Sequence, residues 1–385
     1  MAKSEYSKTT VGTHPCFLIL QEVSHVSDLK VRVSEKVRDL RYGENPGQTA
    51  ALYGRGFIGK LQEVRKRDKD PSQTNMEDAF YAARTLRYFP DREAVRIGKH
   101  ENACGFAVQV DGESGTELYR RARDYDFRSF FGGAIGLNFP LTRELAEELV
   151  RHYHEVLVAP EFEEGPLDAI GSSASKCKNL RAFRYDPADL YDIPAFIGDM
   201  FVPALKQFHD GSREISTIRA DPHLTAIMTP EDMSQYLKTD RTPTPRELFD
   251  AFVALCVDVD QRSNSATFVK KGYIVGVGIG QNSRVDTVEV AIDRNRRYNN
   301  LAPSFVEQLG HDPRRLDYSL DGASMATDAF CPFPDAPLAA HEAGVRTMVV
   351  VEGGERYEDV LREMKEKGDV SYIALPPQER HFTHH

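Results

Sequence analysis

The amino-acid sequence predicts an α/β fold in two lobes, and three observations carry that expectation. Short apolar runs alternate with segments whose apolar residues recur at helical spacing, as strands and helices do when they take turns along a chain. Several of the helical segments carry their own start signals. At 385 residues the chain also exceeds the roughly 250–300 residues at which one hydrophobic core stops growing.

In chain order, a first clear helix is expected to open at Asn75, with Met76, Ala79, Phe80, Ala83 and Leu86 on one face and Asp78 in its first turn. A second follows Thr142 and carries Leu145, Leu149 and Tyr153. The run Glu155–Ala159 then reads as a strand. From Phe208 to Thr244 the chain is polar and proline-punctuated, which marks the region joining the halves and sets lobes of 1–205 and 206–385. In Thr244-Pro245-Arg246-Glu247 the threonine can cap, the proline can take the first helical position and the glutamate can return the capping bond. Leu248, Ala251, Phe252 and Leu255 give that helix its core face. Tyr273–Val277, Thr347–Val351 and Ser371–Leu375 read as further strands.

Composition excludes several classes. No run approaches the ~18 apolar residues that a membrane helix needs, and the N-terminal stretch lacks a signal-peptide pattern, so a cytoplasmic location is expected. With 49 basic against 59 acidic side chains, a net charge of −10 argues against a nucleic-acid surface. An anionic substrate must then be held by a few locally placed cations. Five cysteines at 16, 104, 177, 256 and 331 form neither a disulfide framework nor a metal clip.

Six blocks crowd polar side chains against glycine or proline, where loops hold functional groups on a rigid scaffold. They are Arg41-Tyr42-Gly43-Glu44-Asn45-Pro46, Lys99-His100-Glu101-Asn102-Ala103-Cys104-Gly105, Phe131-Gly132-Gly133-Ala134, Arg262-Ser263-Asn264-Ser265 followed by Gly278 to Arg284, Asp328-Ala329-Phe330-Cys331-Pro332-Phe333-Pro334-Asp335, and Arg380-His381-Phe382. Lys99 and His100 are adjacent and would point apart on an extended strand, so a turn is needed for them to act together.

In this order the blocks resemble the transformylase half of the bifunctional purine-synthesis enzymes that formylate aminoimidazole carboxamide ribonucleotide (AICAR) and also carry an inosinate cyclohydrolase. The resemblance runs from about Leu40 to the C-terminus, about nine-tenths of the chain. It implies two cytidine-deaminase-like α/β/α units produced by internal duplication, with a chain exchange between lobes near 300–320 left open. It implies 10-formyltetrahydrofolate as co-substrate and a homodimer whose active sites lie at the subunit interface. About forty residues precede the first block, too few for a cyclohydrolase domain, so that activity is not expected here.

By the same resemblance Lys99, His100 and Asn264 are the catalytic candidates: His100 takes a proton, Lys99 donates to the folate nitrogen or tunes the histidine, and the Asn264 amide meets the oxyanion. Arg41, Tyr42, Asn75, Gly132, Glu155, Phe330 and Arg380 align with the ribotide site. Asp335, Pro332, Arg284 and Val285 align with the folate site. Ser263 and Asp328 resemble residues around a monovalent cation, such as potassium, in some relatives. Each has a plainer reading as well: surface ion pairing for Arg41 and Arg380, core packing for Tyr42, a tight turn for Gly132 and helix capping for Asn75.

The pattern departs from the family at Gly47, Ala103 and Pro334, where a histidine, a proline and an arginine are usual, and these changes bear most on the folate side. Two other functions stay open, formylation from a different one-carbon donor and a ribotide-binding regulator without catalysis. A zinc deaminase is disfavoured, because no second cysteine follows Cys104 at the required spacing.

Overall fold

The computed structural model describes residues 14, 16–23, 29–43, 49–53, 56–65, 67–191, 200–204, 216–217, 229–299 and 318–381. Glu44, Asn45, Pro46, Gly47 and Phe382 lie outside these residues, as does most of the 300–320 segment. The chain divides into two compact units, one formed by 1–87 and 134–220, the other by 88–133 and 221–385.

The first unit contains an antiparallel array in the order β1 (Phe17–Val23), β2 (Leu29–Leu40), β3 (Thr49–Tyr53), β10 (Met200–Ala204) and β11 (Ser216–Thr217). Its second set of strands is parallel: β7 (Ala134–Leu137), β8 (Val156–Ala159) and β9 (Arg181–Arg184), with β4 (Gln62–Arg65) antiparallel on the edge of β9. Every residue of β7 and β8 is buried, as expected of parallel strands covered on both faces. Helix α1 (Gln73–Arg84) starts two residues before the expected Asn75, because Ser72 is the cap. Helix α3 (Arg143–Leu149) is capped by Thr142 as expected but stops before Tyr153, and Glu155 precedes β8 rather than opening it.

The second unit holds seven described strands in one paired set. Its hairpin β5 (Ala94–Lys99) to β6 (Asn102–Val108) is followed by α2 (Gly115–Tyr125). A second hairpin, β12 (Ala266–Lys270) to β13 (Tyr273–Gly278), follows α5 (Pro245–Asp258). Thr244 and Glu247 close the capping box of α5 as expected. Strands β14 (Ser324–Thr327), β15 (Thr347–Val351) and β16 (Ser371–Leu375) run parallel. The helices α6 (Arg284–Asn299), α7 (Asp335–Glu342) and α8 (Tyr357–Lys367) precede them in turn. Residues 88–133 join this unit rather than falling with the first half of a chain cut near 205. The reason is backbone pairing: Ala107 on β6 registers with Tyr273, Val108 N donates to Gly272 O at 2.9 Å, and Val277 N donates to the Tyr125 hydroxyl at 2.9 Å.

One element order occurs twice among the described residues. Helix, hairpin, helix and then three strands separated by helices run from α1 to β9, with α4 (Pro166–Gly171) between β8 and β9, and again from α5 to β16. The second strand of each hairpin carries a glycine that lets the next helix approach. A Cβ on Gly105 would lie 1.9 Å from Ala122 O, and one on Gly278 would lie 1.9 Å from Thr287 O. No helix among the described residues is long and apolar enough to cross a membrane.

Candidate active site

The second unit brings five of the six blocks into one connected set. Between β5 and β6, His100 (φ 51°) and Glu101 (φ 71°) both take left-handed backbone, closed by the pair Lys99 and Asn102. Positive φ at both central residues is what two-residue hairpin turns of the I′ kind require. This is the turn that adjacent Lys99 and His100 need; His100 is exposed on it and Lys99 half-buried. Lys99 Nζ donates to Phe131 O at 2.9 Å, tying the turn to the loop where Gly132 takes φ 73°. Asn102 Nδ2 donates to His100 O at 2.8 Å, and its Oδ1 accepts from Arg262 N at 2.9 Å. The Gln261 side chain meets both backbone groups of Ala103 at 3.1 Å. The turn is thus fastened to the chain just ahead of Ser263-Asn264. The contacts join loops: among the described residues, Lys99, His100 and Asn264 share no side-chain hydrogen bond.

Asn264 is oriented from both ends. Its Nδ2 donates to Gln281 O at 2.8 Å, and its Oδ1 accepts from Arg284 Nη2 at 3.0 Å. These partners fix which end of the amide is oxygen, and the second N–H remains available to a ligand. Arg284 is buried, donates to Ser265 O at 2.7 Å and pairs with Asp328. Asp328 also accepts from the Ser263 hydroxyl and from Ser265 N. Burial alone would raise the Asp328 carboxyl, but Arg284 and these donors outweigh it and hold it below the usual carboxylate range.

Beneath lies a second buried carboxylate. Asp258 accepts from Ser265 Oγ at 2.9 Å and Thr267 Oγ1 at 2.8 Å, and faces His381 Nε2 at 3.4 Å. Burial disfavours a charged His381, yet Asp258, with Asp328 beyond it, prevails and raises the imidazole above its ordinary value. The other ring nitrogen faces Glu379 O at 3.0 Å, so both meet acceptors, as a protonated ring requires. The monovalent cation suggested near Ser263 and Asp328 fits this set poorly. The carboxylate already receives a hydroxyl, an amide and a guanidinium, and the buried positive charge of Arg284 would repel another cation.

The C-terminal block docks on the same centre, since His381 N donates to Asp328 O at 3.1 Å. Arg380 stacks over Phe330, with Cζ 4.8 Å from the ring centroid, and its Nε is buried without a hydrogen-bond partner among the described residues. Gly353 (φ 132°) and Gly354 (φ 101°) follow β15 and press against this pair. A Cβ on Gly353 would lie 2.8 Å from Arg380 Nη2, and one on Gly354 would lie 3.0 Å from Phe330 Cδ2. A stacked guanidinium with an unmet donor is well suited to an anion. Asp335 is exposed at the start of α7, where its carboxylate accepts from Ala336 N at 2.8 Å; Pro332 and Val285 are half-buried.

The remaining ribotide candidates lie in the first unit. Arg41 Nη2 donates to the Tyr42 hydroxyl at 3.2 Å, and Arg41 Nε is buried without a hydrogen-bond partner among the described residues. Arg41 N donates to Pro71 O at 2.9 Å and Gln73 N to Tyr42 O at 3.0 Å, which anchors the pair at the start of α1. Asn75 is not the cap but the third helical residue. Its Oδ1 accepts from Ser72 N and its own N–H donates to Ser72 Oγ, both at 3.2 Å. Glu155 is exposed and accepts from the Tyr153 hydroxyl at 3.0 Å.

Neither cysteine of the blocks is poised as a nucleophile. Burial, reinforced by Asp126 for Cys104, pushes both the Cys104 and Cys331 thiols up to about 12. Sequence reasoning missed Gly353, Gly354, Asp258, Gln261 and Asn102. Asp258 had a readable signal, a carboxylate at the end of a helix whose last buried residues are otherwise apolar from Ala251 onward.

The profile of the AICARFT/IMPCHase bienzyme family matches residues 12–294. A bifunctional purine biosynthesis protein PurH from Chlorobium phaeobacteroides is 32% identical over 367 residues, covering 94% of this chain and 61% of that protein. PurH proteins from Thermoanaerobacter sp. (31% over 354 residues; 91% of this chain, 59% of theirs) and Rhodospirillum rubrum (32% over 354; 90% and 59%) are similar. The chain spans about three-fifths of the length of these relatives. With a matched profile over most of its length and the family's blocks linked around Asn264, the chain belongs to the AICARFT/IMPCHase bienzyme family.

Proposed function

We propose that this protein is a formyltransferase of purine synthesis that moves the formyl group of 10-formyltetrahydrofolate to the 5-amine of AICAR. The observation that carries this reading is the Asn264 amide, held by Arg284 and Gln281 beside the loop that bears Lys99 and His100. The amine attacks the formyl carbon, and the oxyanion that forms meets the free Asn264 N–H. His100 takes the proton the amine releases. Lys99 delivers one to the folate nitrogen as its bond to the formyl carbon breaks, leaving formyl-AICAR and tetrahydrofolate.

Arg380 on Phe330 would hold the ribotide, and Asp335 would accept from the pterin edge. The repeated element order and the paired glycines Gly105 and Gly278 support an internal duplication of cytidine-deaminase-like units. We infer a homodimer, which would complete sites that draw on both chains. Supplying purified protein and AICAR with either 10-formyltetrahydrofolate or ATP plus formate tests the donor. Formyl-AICAR from the folate alone supports the reading; formyl-AICAR from ATP plus formate alone overturns it. Ribotide binding without turnover would point to a regulator.

A further inference from the structure

The two hairpins of the second unit hold equivalent turns in different ways. Between β12 and β13 the left-handed residues are Lys271 (φ 54°) and Gly272 (φ 78°). Glycine bears positive φ without cost, and the Asp250 carboxylate takes both backbone N–H groups at 2.8 Å. Between β5 and β6 both residues carry side chains, so the conformation that aims His100 must be imposed from outside.

The group placed to impose it is Arg96. Its side chain is wholly buried in β5 and Nη2 donates to Glu101 O at 2.9 Å. Room for it comes from the residue two places on: a Cβ on Gly98 would lie 2.9 Å from Arg96 Nη1. The strand register shifts between Ile97 and Gly98, and such irregularities re-aim the residues that follow. We propose that Arg96 is a positioning residue for formyl transfer. Its guanidinium holds the Glu101 carbonyl so that Lys99 and His100 are presented from a turn whose two left-handed residues, His100 and Glu101, both carry side chains. This rests on the formyltransferase reading for its activity readout, though the geometry of the turn can be tested without it.

The test compares wild type, R96M, E101G and R96M/E101G in formyl-AICAR formation and in amide hydrogen exchange of residues 99–103. If Arg96 positions the turn, R96M lowers kcat by about tenfold, the fold-change matching the strain of one non-glycine residue held left-handed. KM for AICAR stays within about twofold. Exchange at the turn quickens, and adding E101G restores both kcat and protection, because glycine holds the conformation unaided. Wild-type kcat and exchange in R96M, or losses that E101G does not repair, would overturn the proposal. Should R96M not fold, R96K with and without E101G gives the same comparison, since lysine keeps the charge but lacks the guanidinium fork. A wild type that forms no formyl-AICAR would sink the formyltransferase reading, while exchange would still decide the role of Arg96.

Discussion

Arg284 Nη2 lies 3.0 Å from Asn264 Oδ1, and the same guanidinium pairs with buried Asp328. The orientation of one half-buried amide is therefore set by a buried ion pair. Asn264→Ala should cost about 3 kcal/mol of transition-state stabilisation, read as a fall in kcat with AICAR KM little changed. A change confined to KM would make Asn264 a binding residue instead.

His100 stands exposed at the tip of its turn, free to reach a ligand. His100→Ala should lower turnover by about 10²–10⁴-fold with ribotide affinity retained, as loss of a general base does. Near-normal turnover in a steady-state assay would remove it from the chemistry.

Asp335 is exposed at the start of α7. Asp335→Ala should weaken folate binding and spare AICAR. Calorimetric titrations in which both ligands lose affinity equally would contradict the pterin assignment.

His381 gives a pH signature to stability. Its folded value is raised, so its contribution is complete below the ordinary value of about 6.5 and is lost as pH rises through the folded value. The urea midpoint of wild type should thus exceed that of His381→Gln at about pH 6, and the gap should narrow toward alkaline pH. Asp328, depressed by Arg284, works in the opposite sense. Its contribution is present above about 3.9 and fades as pH falls through the folded value. A gap that stays constant from acid to alkaline pH would mean that His381 is not charged in the fold.

How much of this was legible in the sequence depended on how local the cause was. Thr244-Pro245-Arg246-Glu247 states its own capping box, and Thr347–Val351 and Ser371–Leu375 are strands at the residues read from their apolar runs. Asn75 reads as a helix start because a polar residue three places into a helix looks much like its beginning, yet Ser72 holds the cap. That Lys99 and His100 require a turn could be reasoned from adjacency. That Arg96 and Gln261 help hold it could not, since those contacts arise from strand pairing and from residues over a hundred and fifty positions apart. The grouping of 88–133 with 221–385 is likewise a product of β6 meeting β13.

The central claim is that His100 and Asn264 serve one transition state, and a double-mutant cycle on formyl-AICAR formation tests it most directly. H100A, N264A and H100A/N264A would be compared in single-turnover reactions with 10-formyltetrahydrofolate. Groups acting together on one reaction should lose far less in combination than the product of their separate losses, so the double variant should run at about the rate of the slower single one. Losses that multiply fully, or either single variant at wild-type rate, would contradict the account.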